Sequence, residues 1–413
     1  MPLTVFGKDL VMLVGMKEKV HPEKWPITQH VLKLEASIIR EILKISSQPG
    51  VISFAGGLPA PEMFPLEEMK RIATEVIDKY GANALQYSLS RGIVPLRELI
   101  AERATKRGTP SQVDNILITS GAQQGIELLA RAFIEPGDYI LTENPTYLGA
   151  LQAFNYYQAQ YCTVEMDAEG MIVEQVARQI ETHKPKLIYT VSNFQNPTGI
   201  TMSLERRKQL VELAAKHDIP VVDDNPYGDI CFAGDRVQTL KSLGGDQVVA
   251  LRTFSKIIAP GMRIGWMNGP KQIIQQFEKV KQCADLHTNT FCQFLIYEFL
   301  NQGLLEPHIQ KIKADYLAKC NVMLEAMDAM FPEEITYTRP EGGLFLWVTL
   351  PEQMSASKLL PKAVEKKVAY VYGSPFFPNG GGDNTLRLNF SNATHVKIRK
   401  GIERLAKLFR EHM

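Results

Sequence analysis

The chain has 413 residues, is 45% apolar and 22% charged, and carries a formal net charge of +1. That length suits two or three domains with sizeable cores, and the composition is that of an ordinary soluble globular protein. So small a net charge gives no electrostatic case for nucleic acid or acidic membranes as partners, and no apolar run approaches the ~20 residues that span a bilayer.

Residues 1–30 carry Lys, Glu and Pro without clear periodicity and read as an arm. Their one apolar run, 10–16, is short, follows Asp9 and lacks a small-residue cleavage signal, so no signal peptide is expected. Residues 37–44 have the apolar spacing of a helix. From about 66 to 300, helical stretches alternate with β-rich runs at 138–142, 186–191, 219–223 and 248–253, which predicts a layered α/β sheet. From about 308 the pattern changes to a long helix (308–330), strand-like runs at 344–350, 368–372 and 385–390, and a closing helix at 394–411. That is a second, α+β lobe, with Gly380, Gly381 and Gly382 as a flexible turn between strands. The five cysteines are odd in number and form no C-x-x-C pair. They predict reduced thiols of a cytoplasmic protein and argue against a zinc site or a disulfide framework. The eight histidines form no H-x-x-x-H pair, and no metal is expected.

The residues that carry chemistry follow the same order along the chain. Ile116–Thr119 runs into Gly121-Ala122-Gln123, a strand, a glycine turn and a helix start, where unpartnered first-turn N–H groups make an anion site. Tyr147, in Glu143-Asn144-Pro145-Thr146-Tyr147, is placed to stack on a ring or to pack in the core. Asn196 stands in an Asn-Pro-Thr-Gly turn after the run 186–191. Asp223 and Asp224 begin where the apolar run 219–222 ends, at the carboxyl end of a strand, where parallel sheets bind ligands. A carboxylate there can pair with a protonated pyridine nitrogen, and Tyr227 follows three residues after Asp224. Finally, Lys256 lies in a hydroxyl-rich turn, Thr253-Phe254-Ser255-Lys256, with Arg263 seven positions on. An amine that attacks a carbonyl needs a fixed position and nearby cations that lower its pKa, and hydroxyls beside an arginine can hold a phosphate.

In this order the elements resemble the pyridoxal-5′-phosphate (PLP) enzymes of fold type I, over nearly the whole chain from about Leu34. The nearest resemblance is to the 2-aminoadipate and kynurenine aminotransferases, carried by 52–59 (Ile-Ser-Phe-Ala-Gly-Gly-Leu-Pro), 85–88 (Leu-Gln-Tyr-Ser), 192–199 and 385–388 (Thr-Leu-Arg-Leu). The resemblance implies a large domain (66–305) with a mostly parallel seven-stranded sheet between helices. It also implies a smaller α+β domain built from 31–65 and 306–413, and a homodimer with shared active sites. Lys256 would be the Schiff-base lysine, Asp224 the partner of the pyridine nitrogen, and Asn196 and Tyr227 the partners of the ring oxygen. Tyr147 would stack on the ring. Gly121, Ala122, Gln123, Thr253, Ser255 and Arg263 would hold the phosphate. Many relatives have serine where Ala122 stands, so only its backbone N–H can serve. Tyr87 would reach the phosphate of the neighbouring subunit. Arg387 would clamp the substrate α-carboxylate, Gly57 and Asn196 would line the substrate, and Arg40 would meet a side-chain carboxylate.

These roles imply a ping-pong aminotransferase acting on an L-amino acid and a 2-oxo acid such as 2-oxoglutarate. 2-Aminoadipate and glutamate suit Arg40; aromatic and aliphatic side chains stay open. Two other readings share the scaffold: a C–S β-lyase, and an effector-sensing regulator. The regulators of this fold carry an N-terminal DNA-binding domain, for which about 30 residues ahead of Leu34 are too few.

Overall fold

The computed structural model describes residues 25–32, 34, 42, 49–232 and 237–413. By its contacts the chain divides into two units, 1–35 and 36–413. In the first, the described residues include a short helix, Gln29–Leu32.

The largest sheet of the second unit has eight strands. These are β2 (Ile116–Thr119), β3 (Tyr139–Asn144), β4 (Gln160–Asp167), β5 (Gly170–Met171), β6 (Leu187–Thr190), β7 (Val221–Asp224), β8 (Val248–Thr253) and β9 (Gly265–Asn268). Their spatial order is β2-β9-β8-β7-β6-β3-β4-β5. Five neighbours, β8-β7-β6-β3-β4, run parallel, while β9 is antiparallel to both β2 and β8. The seven expected strands are β2–β4 and β6–β9. The eighth, β5, is a two-residue strand paired antiparallel to the end of β4, too short to leave a periodic signal. β2, β6, β7 and β9 are buried along their whole length. For β6 and β7, which lie between parallel neighbours, the apolar runs have that cause: a parallel sheet is covered on both faces.

The helices Leu66–Tyr80, Val94–Lys106, Ala122–Phe133, Leu148–Tyr156, Val173–His183, Leu204–Lys216, Lys271–Ala284 and Thr290–Asn301 accompany this sheet. Side chains alternate across a strand, so the two faces carry separate cores. Val222, Tyr189, Val249 and Leu251 join one, and Val221, Ile188, Leu141 and Val248 the other.

The C-terminal sheet is antiparallel, ordered β10 (Thr336–Tyr337), β11 (Phe345–Thr349), β14 (Thr385–Asn389), β13 (Val371–Tyr372). The helices Leu305–Met330 and His395–Arg410 pack together beside it. The expected run 368–372 is two short strands, β12 (Val368–Ala369) and β13, separated by Tyr370. β12 pairs in parallel with β1 (Ile52–Ser53), so residues far apart in sequence share one two-stranded sheet. The Gly380–Gly382 turn precedes β14. Among the described residues no helix is long and apolar enough to cross a membrane.

Candidate active site

Several chain segments converge at the carboxyl ends of the parallel strands. The strand β7 continues through Asp224, which pairs in register with Leu251 of β8, so both acids lie on the strand rather than after it. Alternation then sends the two carboxylates to opposite faces. Asp223 accepts from the Ser192 hydroxyl at 2.6 Å. Asp224 accepts through Oδ2 from the Tyr189 hydroxyl at 2.6 Å, while its buried Oδ1 has no hydrogen-bond partner. Burial, with the nearby charge of Asp223 adding to it, pushes the Asp224 carboxyl up to about 7 in the ligand-free chain. Asp224 is the acid felt by Tyr147 and Tyr227. An unpartnered buried oxygen on a carboxylate of raised pKa is a ready partner for a protonated ring nitrogen.

Lys256 follows β8, half-buried, and its Nζ donates to the Gly57 carbonyl at 2.8 Å. Burial first, then the positive charges of Arg387 and Arg263, bring its pKa down to about 8. A substantial share of the amine is therefore neutral near physiological pH, as a nucleophile requires.

Arg387 lies on β14, 1% exposed. Its Nη1 donates to Asn196 Oδ1 at 2.7 Å and its Nη2 to the Ala55 carbonyl at 2.8 Å, while Nε is buried without a partner. The guanidinium lies 4.2 Å from the ring centroid of Phe345 and 5.3 Å from that of Phe376. A desolvated cation over an aromatic face gains roughly 2 kcal/mol, which helps offset the burial of this charge without a countercharge. Asn196 in turn donates from Nδ2 to the Tyr227 hydroxyl at 3.4 Å.

The anion cradle opens at Gly121, the residue capping the helix Ala122–Phe133, with φ of 78°. A Cβ there would lie 2.5 Å from the Arg263 guanidinium, which donates to the Ser120 carbonyl at 3.0 Å. The Thr253 and Ser255 hydroxyls are 2.9 Å apart. The Gln123 amide is turned to the Gly149 carbonyl at 2.7 Å, which leaves its backbone N–H for the cradle. A Cβ on Gly149 would lie 2.6 Å from the Tyr147 ring, so that glycine lets the ring settle on the helix start. Helix N–H groups, two hydroxyls and an arginine around one glycine form a phosphate-binding arrangement. With the orphaned Asp224 Oδ1 beyond it, the residues fit PLP as the resemblance implies.

The structure thus brings together Gly57, Tyr147, Asn196, Asp224, Tyr227, Lys256, Arg263 and Arg387. Tyr87 stands apart: it is 79% exposed and meets His287 edge-on at 5.8 Å. Arg40 lies outside the described residues. Sequence reasoning missed Tyr189, Ala55 and the Phe345–Phe376 sandwich. Only Tyr189 left a trace, since its register partner Val222 shares a face with Asp224. A cavity of about 190 Å³ lined by Ala250 and Arg252 contains none of these residues; those two alternate with Leu251, the partner of Asp224, and face away from it.

A family model described as aminotransferase class I and II matches residues 61–405. Aromatic-amino-acid aminotransferase 1 of Thermococcus litoralis is 44% identical, over 96% of this chain and 98% of its own. The 2-aminoadipate transaminase of Thermus thermophilus is 38% identical, over 91% and 94%. Among solved structures, a Pyrococcus horikoshii kynurenine aminotransferase superposes with a TM-score of 0.92 at 44% identity, covering 96% of this chain and 99% of that one.

Proposed function

The chain belongs to the class I and II aminotransferases, PLP-dependent enzymes of fold type I, and we propose that it moves the amino group of an L-amino acid with an acidic or aromatic side chain to a 2-oxo acid such as 2-oxoglutarate. The observation that carries this reading is the pairing of a half-buried amine, Lys256, its pKa brought down to about 8, with a buried guanidinium, Arg387, whose charge it senses. Aromatic amino acids, 2-aminoadipate and kynurenine figure in the names of its relatives. A purified-protein assay with 2-oxoglutarate and a panel of amino acids tests it; no transfer from any of them overturns it.

When bound, PLP supplies an aldehyde for the amine and a ring that accepts the electron pair released at the substrate Cα. Asp224 would hold the proton on the ring nitrogen. Asn196 and Tyr227 would donate to the ring oxygen, and Tyr147 would stack on the ring. Gly121, Ala122 and Gln123, with Thr253, Ser255 and Arg263, would hold the phosphate. Arg387 presents a planar fork to the α-carboxylate, which orients the Cα–H bond. Lys256 Nζ would take the proton from Cα as general base and, once protonated, serve as the general acid that gives it back. Acceptance of a second oxo acid by the reverse steps makes the kinetics ping-pong.

In this reading residues 66–305 form the cofactor domain, 306–413 with 31–65 the smaller one, and 1–30 an arm. The exposure of Tyr87 supports a homodimer in which that residue reaches the neighbouring phosphate site. The net charge of +1 supports small-molecule partners over nucleic acid or membrane, and the odd cysteine count a reducing, cytoplasmic setting.

A further inference from the structure

Glu143 is the last residue but one of β3, at 1% exposure, and the amino-transfer reading gives it no task. Among the described residues it has no ion-pair partner. A carboxylate buried without a countercharge is costly unless its oxygens are hydrogen-bonded, and these are. The Thr190 hydroxyl donates to Oε1, the Val191 N–H donates to the same oxygen at 3.1 Å, and Gln195 Nε2 donates to Oε2 at 3.0 Å. Burial, opposed by these donors and reinforced by the charge of Asp224, brings the carboxyl up to about 7.

The contacts form a chain with two ends in the site. Gln195 Nε2 also donates to the Pro145 carbonyl at 2.8 Å. Gln195 Oε1 accepts from the Thr198 N–H at 2.9 Å and the Thr198 hydroxyl at 2.7 Å. One end is the turn Asn144–Thr146, which delivers Tyr147; the other is the turn 195–198, which delivers Asn196. The ends of β3 and β6 are thus tied by a side chain beyond their last register pair, Thr142 with Tyr189. A carboxylate suits this place because both of its terminal atoms accept; a glutamine of equal size turns a donor to one side.

We propose that Glu143 is a positioning residue of the amino-transfer site: the shared acceptor that locks the Asn144–Thr146 and Gln195–Thr198 turns together, and so fixes Tyr147 and Asn196 around the ring. The proposal rests on the function stated above. Small misplacements of positioning groups lower rates by as much as ~100-fold, so the lock acts on turnover more than on substrate binding.

The test uses holoenzyme of Glu143→Gln, which keeps the volume and the acceptor for Thr190 and Val191 but sets an amide donor against the Gln195 amide. The expected result is a kcat at least ~10-fold lower with KM within about 3-fold of wild type and cofactor still bound. The second readout is the pH midpoint at which the bound cofactor changes its visible absorbance. A displaced Asn196 no longer stabilises the anionic ring oxygen, so that midpoint rises by ~0.5 unit or more. Gln195→Leu removes the same tie from the other side and should shift the midpoint equally, and the double variant should shift it no further. Should Glu143→Gln fold poorly, the Gln195→Leu shift carries the test. A wild-type midpoint and kcat in either variant overturns the proposal, as does a double variant whose shifts simply add. The absorbance readout needs bound cofactor and not turnover, so it stands apart from a failure of the proposed substrates.

Discussion

Arg387 and Asn196 are joined by a 2.7 Å hydrogen bond from the guanidinium to Oδ1, and that bond decides which way the Asn196 amide points. With Oδ1 occupied by the arginine, Nδ2 is left facing the Tyr227 hydroxyl. The group proposed to bind the substrate carboxylate and the group proposed to touch the ring oxygen therefore belong to one hydrogen-bonded line, from β14 across to the turn after β6.

Removing the fork should be felt by every substrate. Arg387→Ala is expected to raise KM for all amino acids and to lower kcat/KM by at least ~100-fold, about 3 kcal/mol. Arg387→Lys should recover little of this, since an ammonium cannot hold a planar carboxylate at two points. Steady-state kinetics with several amino acids and one oxo acid give the answer, and an unchanged kcat/KM would remove Arg387 from the site.

The two neighbouring acids should separate cleanly. Asp224→Asn should lower activity by several orders of magnitude, because an amide cannot keep the ring nitrogen protonated, and Asp223→Asn should do much less. Stability of the cofactor-free protein gives an independent sign. The folded pKa of Asp224, about 7, lies above its ordinary value of 3.8, so the native state binds the extra proton and loses stability as pH rises between those values. Asp224→Asn lacks that loss. Cofactor-free Asp224→Asn should therefore gain stability over wild type on going from pH 5 to pH 8 in denaturant titrations. A greater activity loss in Asp223→Asn, or no such gain, assigns the ring contact to the wrong acid.

Lys256 should report its own surroundings. With its pKa at about 8, attachment of added PLP to cofactor-free protein should accelerate with pH up to about 8 and then level off. A neighbouring cation repels the proton, so Arg387→Ala should move that midpoint upward. Stopped-flow absorbance across a pH series measures both; a midpoint unmoved by Arg387→Ala would show that the two charges do not sense each other.

Arg40 is proposed to read the substrate side chain. Arg40→Ala should weaken glutamate and 2-aminoadipate relative to leucine and phenylalanine by about 10- to 150-fold in kcat/KM, the loss of one charge-assisted pair. The α-carboxylate contact is common to all four and cancels in the ratio. An equal loss across the panel would leave Arg40 with no part in reading the side chain.

Much of this architecture was legible in the chain because buried parallel strands write themselves as apolar runs; β6, β7 and β8 fall within a few residues of where those runs stand. Most of the motif residues were legible because they stand at the end of such a strand or just after it. Other features left no local mark. β5 is two residues long, and β1 pairs with a strand more than three hundred residues away. The choice between Asp223 and Asp224 depends on which face of β7 looks at Tyr147, and period-two alternation does not say which face is the site. The roles of Tyr189, Glu143 and Gln195 come from contacts between strand ends, and no spacing within one segment encodes them.

The central claim is that the Lys256 amine moves the proton at the substrate Cα. Its most direct measurement is exchange of the Cα hydrogen with deuterated solvent, followed by NMR, for wild type and Lys256→Ala loaded with the same cofactor. The wild type should exchange the Cα hydrogen of its amino-acid substrates readily, and Lys256→Ala, folded and cofactor-bound, at least ~100-fold more slowly. Exchange in Lys256→Ala at a rate near that of the wild type would contradict the account.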